Sequence, residues 1–401
     1  MRISVFLFFS AFIISCTDSP TFFSKNQKSK SEIAQKKYIN EKELLIPKAE
    51  IKSIQKYFKK FVRKKSFNGS IAVAKKGEIV FDTISGYSNV KRRIKLKENS
   101  VQQIASITKP ITATVILQLA GEGKLKITDT ITKYLTELPE NYSQVTIKHL
   151  LSHRSGLSQY YYYCDHLIDD RKHLIYNDTV LCVMNFHNPD PNFKPGKKYN
   201  YCNTNYLLLA SIIEVIESES YANVIKKRIL DKCGMQNSFV FDFREDTVPS
   251  NLVYGHTIWN KLFEFDYLDG IVGDKGLFSN AKEMLLFDKT LNSGELLNDS
   301  TKKLAFTPHN KMKHGKSYGL GWRIKKHEKL GKIVYHTGWW HGNRNIYIKI
   351  PKNDYTIVIL SNSLRGSKYN MNDILEQFEF DISLNIDKPS SPLFKKDYSM
   401  K

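Results

Sequence analysis

Ala105-Ser106-Ile107-Thr108-Lys109-Pro110-Ile111-Thr112-Ala113-Thr114-Val115-Ile116-Leu117-Gln118-Leu119-Ala120 is the stretch that decides how the rest of this chain is read. After Pro110 the apolar residues Ile111, Val115, Ile116 and Leu119 recur at helical spacing, which predicts an amphipathic helix with Ser106 and Lys109 in its first turn. Residues three apart on a helix are neighbours, so the Lys109 amine can reach the Ser106 hydroxyl. A serine hydroxyl is a weak nucleophile until a neighbour accepts its proton, and a partly desolvated lysine is one group able to do so. The free N–H groups of the helix start add an attraction for a nearby anion. Ser-x-x-Lys also begins at Ser53, Ser88, Ser279 and Ser300, so this copy gains meaning only from its surroundings.

Outward from that helix, the chain is bracketed by strands. Upstream, residues 49–65 carry Ile51, Ile54, Tyr57, Phe58, Phe61 and Val62 at helical spacing, and Gly69 to Asp82 reads as a hairpin turning at Lys76-Gly77. Downstream, Leu320–Ile324, Lys332–His336, Asn345–Ile350 and Tyr355–Leu360 read as strands, the last two joined by a turn at Pro351–Asp354. A closing helix is predicted over 369–384 from Met371, Ile374, Leu375, Phe378 and Ile382. The pattern predicts an α+β fold: one antiparallel sheet of N- and C-terminal strands, flanked by helices, with a mainly helical subdomain inserted over about 110–315. A cleft is expected at the seam.

The termini read differently. Met1–Cys16 has a basic tip and an apolar run short for a bilayer span, and its ending Ile13-Ile14-Ser15-Cys16 resembles a bacterial lipobox. That resemblance implies cleavage before Cys16, a lipid on its thiol, and an exported protein held at the cell envelope, in the periplasm or at the cell surface. Residues 17–48 are expected to be a disordered basic tether, 49–385 the folded domain and 386–401 a tail. The net charge of +21 raises nucleic acid as a partner, but Lys and Arg are spread along the whole chain without a nucleic-acid motif, and none is expected. Apart from Cys16, the cysteines are Cys164, Cys182, Cys202 and Cys233; their spacing matches no zinc pattern and leaves disulfide pairing open.

Three segments carry the chemistry in a fixed order: Ser106-Ile-Thr-Lys109, then Tyr201-Cys202-Asn203 after Pro195-Gly196, then His336-Thr337-Gly338-Trp339-Trp340. With Thr146–Leu157 and Gly123–Asp129 in agreement, the stretch from about Phe67 to Asn362 resembles the serine β-lactamase-related family of class C β-lactamases, D-alanyl-D-alanine carboxypeptidases, penicillin-binding proteins and related esterases. The resemblance implies a β-lactamase/transpeptidase-like fold with Ser106 as acylated nucleophile, Lys109 beside it, and Tyr201 as general base or proton shuttle. It implies that Asn203 hydrogen-bonds the substrate amide, that His336, Thr337 and Gly338 lie on an edge strand lining the site, and that the Ser106 and Trp339 N–H groups form an oxyanion hole. The substrate would be a small molecule or peptide, including peptidoglycan-derived peptides, and the reaction needs neither metal nor organic cofactor.

Two departures stand out. His336 replaces the usual lysine and removes a permanent cation from the place where penicillins and D-Ala-D-Ala peptides present a carboxylate. Cys202 stands where serine is common, with its side chain expected to face away from substrate. The other class of function is a catalytically silent module of the same fold that holds cell-wall peptides. A rival nucleophile, Ser317 in Gly315-Lys-Ser-Tyr-Gly319, lacks the strand before and helix after that a Gly-x-Ser-x-Gly elbow requires, so His149, His153, His309 and His314 have no triad to join. Trp339 and Trp340 are expected to wall the site.

Overall fold

The computed structural model describes residues 47–379, apart from 65, 169–170, 245–246 and 368. The calls on residues 1–16 with Cys16, on all but the last two residues of the tether and on the 386–401 tail lie outside the described residues, as does Ile382. Helix α1 (Lys48–Lys64) leads into strands β1 (Gly69–Lys75) and β2 (Glu78–Ser85). The principal helices of the middle are α2 (Thr108–Gly121), α3 (Ile147–Leu151), α4 (Tyr160–Leu167), α5 (Thr204–Glu217) and α6 (Ala281–Ser293). Strands β3 (Lys316–Tyr318), β4 (Arg323–His327), β5 (Gly331–Trp340), β6 (Asn343–Ile350) and β7 (Tyr355–Ser361) follow, then a short helix at Met371–Leu375.

These strands form one seven-stranded antiparallel sheet in the order β2-β1-β7-β6-β5-β4-β3, so the N-terminal hairpin pairs with the last strand from Gly69↔Ser361 to Lys75↔Tyr355. Strand periodicity gives the sheet two buried faces. Ile71, Val73, Ile333, Ile357 and Ile359 face α1 and the C-terminal helix, packing on Ile54, Phe58, Ile374 and Phe378. Ala72, Ala74, Val334, Val358 and Leu360 face the helical middle and its core of Ile107, Ile111, Val115 and Ile116.

Four details depart from the sequence reading. Helix α2 is buried all round rather than amphipathic, because Thr114 donates its hydroxyl to the Pro110 carbonyl and Thr112 finds a buried carbonyl acceptor, so neither needs water. The inserted region is mainly helical, yet Phe239–Val240, Leu252–Val253 and Leu277–Ser279 join Val101–Gln103 in a small four-stranded sheet, its strands too short to show a period in sequence. Leu320–Trp322 is a turn and strand β4 begins only at Arg323; Ser317, the rival nucleophile, sits inside β3 with its hydroxyl on the Asn310 carbonyl. Strand β5 is interior to the sheet rather than an edge strand, but β4 pairs with it only from Tyr335 to Gly331, leaving His336–Trp340 without a β4 partner on that side.

Asp288 on α6 fastens the helix to the sheet. Its carboxylate accepts from Tyr347 Oη, Lys349 Nζ and, at 2.7 Å, Thr356 Oγ1, and both Asp288 and Lys349 are buried. Asp288→Ala is therefore expected to leave a buried ammonium uncompensated and to lower unfolding free energy by about 3–5 kcal/mol, measured by urea denaturation; a loss below about 1 kcal/mol would contradict this account.

Candidate active site

The Ser106 turn is strained where it displays its hydroxyl. Ala105, buried, holds φ +52°, a left-handed backbone unusual for a residue with a Cβ, and Ala105–Ile107 forms a 3₁₀ turn that runs straight into α2. Pro110 is tolerated there because the first N–H groups of a helix have no partner within it. Lys109 is fully buried, with Nζ 3.0 Å from Ser106 Oγ and 2.8 Å from the Asp274 carbonyl oxygen. Thr112, one turn on, donates to Gly273 O at 2.7 Å, so α2 holds the 273–274 backbone at two points. Gly273 is required there, since a Cβ would lie 2.3 Å from the Tyr206 carbonyl oxygen.

Tyr201, Cys202 and Asn203 immediately precede α5 and are clamped through their backbone. Gln159 donates to Tyr201 O at 2.9 Å and accepts from the Asn203 N–H at 2.7 Å, while the Cys202 N–H donates to His153 Nδ1 at 3.1 Å. Cys202 Sγ points to Ser158 O, away from the nucleophile turn. The half-buried Tyr201 ring has Lys109 Nζ 5.2 Å and the Arg323 guanidinium 4.8 Å from its centre, and the His153 ring at 4.3 Å. Asn203 Oδ1 is buried without a hydrogen-bond partner.

Strand β5 meets the nucleophile turn at Gly338, where a Cβ would stand 2.1 Å from Ile104 O and 3.2 Å from Ala105 Cβ. This contact sets the backbone of residues 338–339 against the Ser106 turn, and only glycine permits it. His336 is fully buried beneath that edge: Nδ1 faces Thr337 O at 2.8 Å and Nε2 faces Tyr318 Oη at 3.0 Å, so it accepts from the tyrosine. Burial, then the nearby Arg323 and Lys109 charges, hold His336 well below the usual imidazole pKa, and burial with the same two cations does so for His153. Both rings are neutral at pH 7. The expectation that both tryptophans wall the site is corrected by strand alternation. Trp340 faces the inserted region, its indole donating to Asp269 at 2.6 Å. The Trp339 side chain, 67% exposed, lines a pocket with Thr337, Tyr335, Tyr369 and Met371 against the opposite side of the sheet, leaving only its backbone near Ser106.

Residues 54–379 match the family model described as Beta-lactamase. The chain belongs to the beta-lactamase family. It is 32% identical over 333 residues to Penicillin-binding protein 4* of Bacillus subtilis (strain 168), covering 79% of this chain and 73% of that protein. Among solved structures, a penicillin binding protein from Bacillus halodurans superposes with TM-score 0.68 at 24% identity, over 80% of this chain and 98% of that one. An octameric penicillin-binding protein homologue from Pyrococcus abyssi gives TM-score 0.68 at 25% identity, over 81% and 77%. The beta-lactamase family fold is thus the α+β arrangement expected from the sequence.

Within this family member the structure brings Ser106, Lys109, the Tyr201 ring and the Gly338 backbone together. It buries His336 below the surface and turns the Thr337 and Trp339 side chains away. Sequence reasoning missed Arg323, which belongs to none of the three motifs; its one signal was a cation following the Gly319-Leu-Gly-Trp322 turn. The four cysteines Cys164, Cys182, Cys202 and Cys233 are free.

Beyond Trp340 the hairpin turns at His341-Gly342, both at positive φ, and the His341 ring bridges two carboxylates, Nε2 3.0 Å from Asp266 and Nδ1 3.1 Å from Asp269 though poorly aligned. Each nitrogen faces its own carboxylate, the arrangement of a doubly protonated imidazolium rather than of one shared ion. Burial opposes that charge, but Asp266 and Asp269 outweigh it and raise the pKa from 6.5 to about 9. A folded-state pKa above the unfolded one gives stability present in full below about pH 6.5 and lost as pH rises through about 9. His341→Gln should therefore destabilise by about 2 kcal/mol near pH 6, allowing for partial solvent exposure, and by little above about pH 9; a pH-independent loss in denaturant titrations would exclude the clamp.

Proposed function

We propose that this chain is a serine hydrolase that forms an acyl-enzyme on Ser106 with a peptide-like amide, a β-lactam or an ester. The observation that carries the reading is the Lys109 amine 3.0 Å from the Ser106 hydroxyl, buried and aimed by the Asp274 carbonyl. In acylation the Ser106 Oγ–H proton passes to Lys109 or Tyr201 as Oγ bonds to the substrate carbonyl carbon. The C–N or C–O bond then breaks and the leaving group takes that proton back through the same pair. Water repeats the sequence on the acyl-enzyme. The Ser106 and Trp339 N–H groups face the developing oxyanion, a contribution of roughly 3–4 kcal/mol per donor in acyl transfer.

With His336 neutral and buried, Arg323 is the cation that takes a substrate carboxylate, a planar fork suited to bidentate pairing. The natural partner on this reading is a small molecule or peptide, including peptidoglycan-derived peptides. Cys16, lipidated, holds the domain at the bacterial envelope through residues 17–47; Cys16→Ser should move the protein from the membrane fraction to the soluble one, and continued sedimentation with membranes would count against the anchor.

Ser106→Ala is expected to abolish labelling by a fluorophosphonate and by a fluorescent penicillin while the fold is retained by circular dichroism. Undiminished labelling would put the nucleophile elsewhere and refute the assignment, whereas a parent protein that does not label at all would leave the silent peptide-binding module as the reading. Tyr201→Phe should slow acylation by about 10²-fold or more. In the same assay Arg323→Gln should weaken labelling by the carboxylate-bearing penicillin at least about tenfold and spare the neutral fluorophosphonate; equal losses with both would remove Arg323 from carboxylate recognition.

A further inference from the structure

Behind Lys109 lies a second buried lysine that the mechanism above does not use. Lys275 is 2% exposed, its Nζ 2.9 Å from Tyr160 Oη and 3.7 Å from Asp274 Oδ1, with the Trp340 ring centre at 5.0 Å. Asp274 is also buried; its Oδ2 accepts from Tyr160 Oη at 3.2 Å and its Oδ1 has no hydrogen bond. The same residue's backbone oxygen holds Lys109 at 2.8 Å, so a carboxylate charge is built into the residue that aims the proposed proton acceptor.

That placement poses an electrostatic problem. A buried carboxylate left without a counter-cation on the residue that holds Lys109 would favour a positive charge on its neighbours, and an ammonium cannot accept the Ser106 proton. We propose that Lys275 is a positioning residue whose ammonium neutralises the Asp274 carboxylate, leaving Lys109 free to take the serine proton. The inference rests on the acyl-enzyme reading above.

The surroundings of both lysines are consistent with this division. Around Lys109 stand Ser106 and the Tyr201 and Tyr206 rings, with the neutral His153 and His336, the Cys202 thiol, and the cations Lys275 and Arg323 within electrostatic reach. Around Lys275 stand Tyr160, Asp274, Asp269 and Asp266, and the last two are already paired with His341. Tyr161 and Tyr221 also feel Asp274, burial keeping both phenols protonated. Asp274 is thus the carboxylate that has Lys275 as its cation, and it sits on the residue whose carbonyl holds Lys109.

The test is the pH dependence of Ser106 labelling by a fluorophosphonate, using the full chain. Lys275→Met should move the midpoint of the ascending limb up by about one pH unit or more, making labelling about tenfold slower below the limb. Lys275→Arg, which keeps the cation, should leave the midpoint in place. Asp274→Asn should move it down, and Lys275→Met with Asp274→Asn should bring it back towards the parent value. A merely structural lysine would lower the rate by one factor at every pH, and unmoved midpoints in Lys275→Met and Asp274→Asn would overturn the proposal. If Lys275→Met does not fold, the downward shift of Asp274→Asn decides alone. The two readings fail separately: labelling that survives Ser106→Ala removes the acyl-enzyme and this inference together, whereas Ser106-dependent labelling with unmoved midpoints removes only the role of Lys275.

Discussion

A lysine amine with no access to solvent must find its hydrogen-bond partners inside the protein, and Lys109 imposes that demand on the whole fold. Left unpaired, a buried ammonium or amine would be among the most destabilising single groups in the chain. One acceptor, Ser106, comes cheaply because it lies three residues away; the other, the Asp274 carbonyl, comes from 165 residues downstream. The faces of Tyr201 and Tyr206 surround what remains. Each partner arrives on a different element, so the nucleophile turn, the loop before α5 and the 270–276 loop are fixed relative to one another by a single side chain.

The histidines follow from the same constraint. Burial first, and then the Lys109 and Arg323 charges, keep His153 and His336 neutral, and both serve as hydrogen-bond acceptors. His153 receives the Cys202 N–H and so shapes the loop that presents Tyr201; His336 receives Tyr318 Oη and ties β5 to β3. Replacing lysine by histidine in the third motif converts a charged recognition group into an internal strut. A cation lies one strand over, at Arg323, whose partner in β5 is Tyr335, the residue before His336.

What could be read from the sequence was local chemistry and periodicity. Ser106 and Lys109 share a turn, the Lys76-Gly77 hairpin has its turn residues, and the ordered motifs fixed the family. What could not be read depends on register and on satisfaction of polar groups by distant backbone. Arg323 matters only because β4 begins opposite Tyr335, and nothing in a linear pattern states where pairing stops. Trp339 and Trp340 are neighbours in sequence but lie on opposite faces of β5. Thr112 and Thr114 of α2 are buried, Thr114 bonding back to its own helix and Thr112 reaching the Gly273 carbonyl as well. Lys275 and Asp274 are adjacent charged residues in sequence, yet both are buried.

The early end of β4 has a further consequence for the cleft. Had it continued, its backbone would occupy the side of His336–Trp340 where an extended substrate can add as a strand. Instead that half of β5 is open on one side and pressed on its face against Ile104 and Ala105, where Gly338 allows contact closer than any Cβ would. The strained φ of Ala105 and the missing side chain at 338 are two halves of one fit: the turn bends into the left-handed region in order to display Ser106, and the strand gives up a side chain to receive it. A rigid sheet on one side and a buried lysine on the other over-determine that bend, which is how a residue with a Cβ can be held there at all.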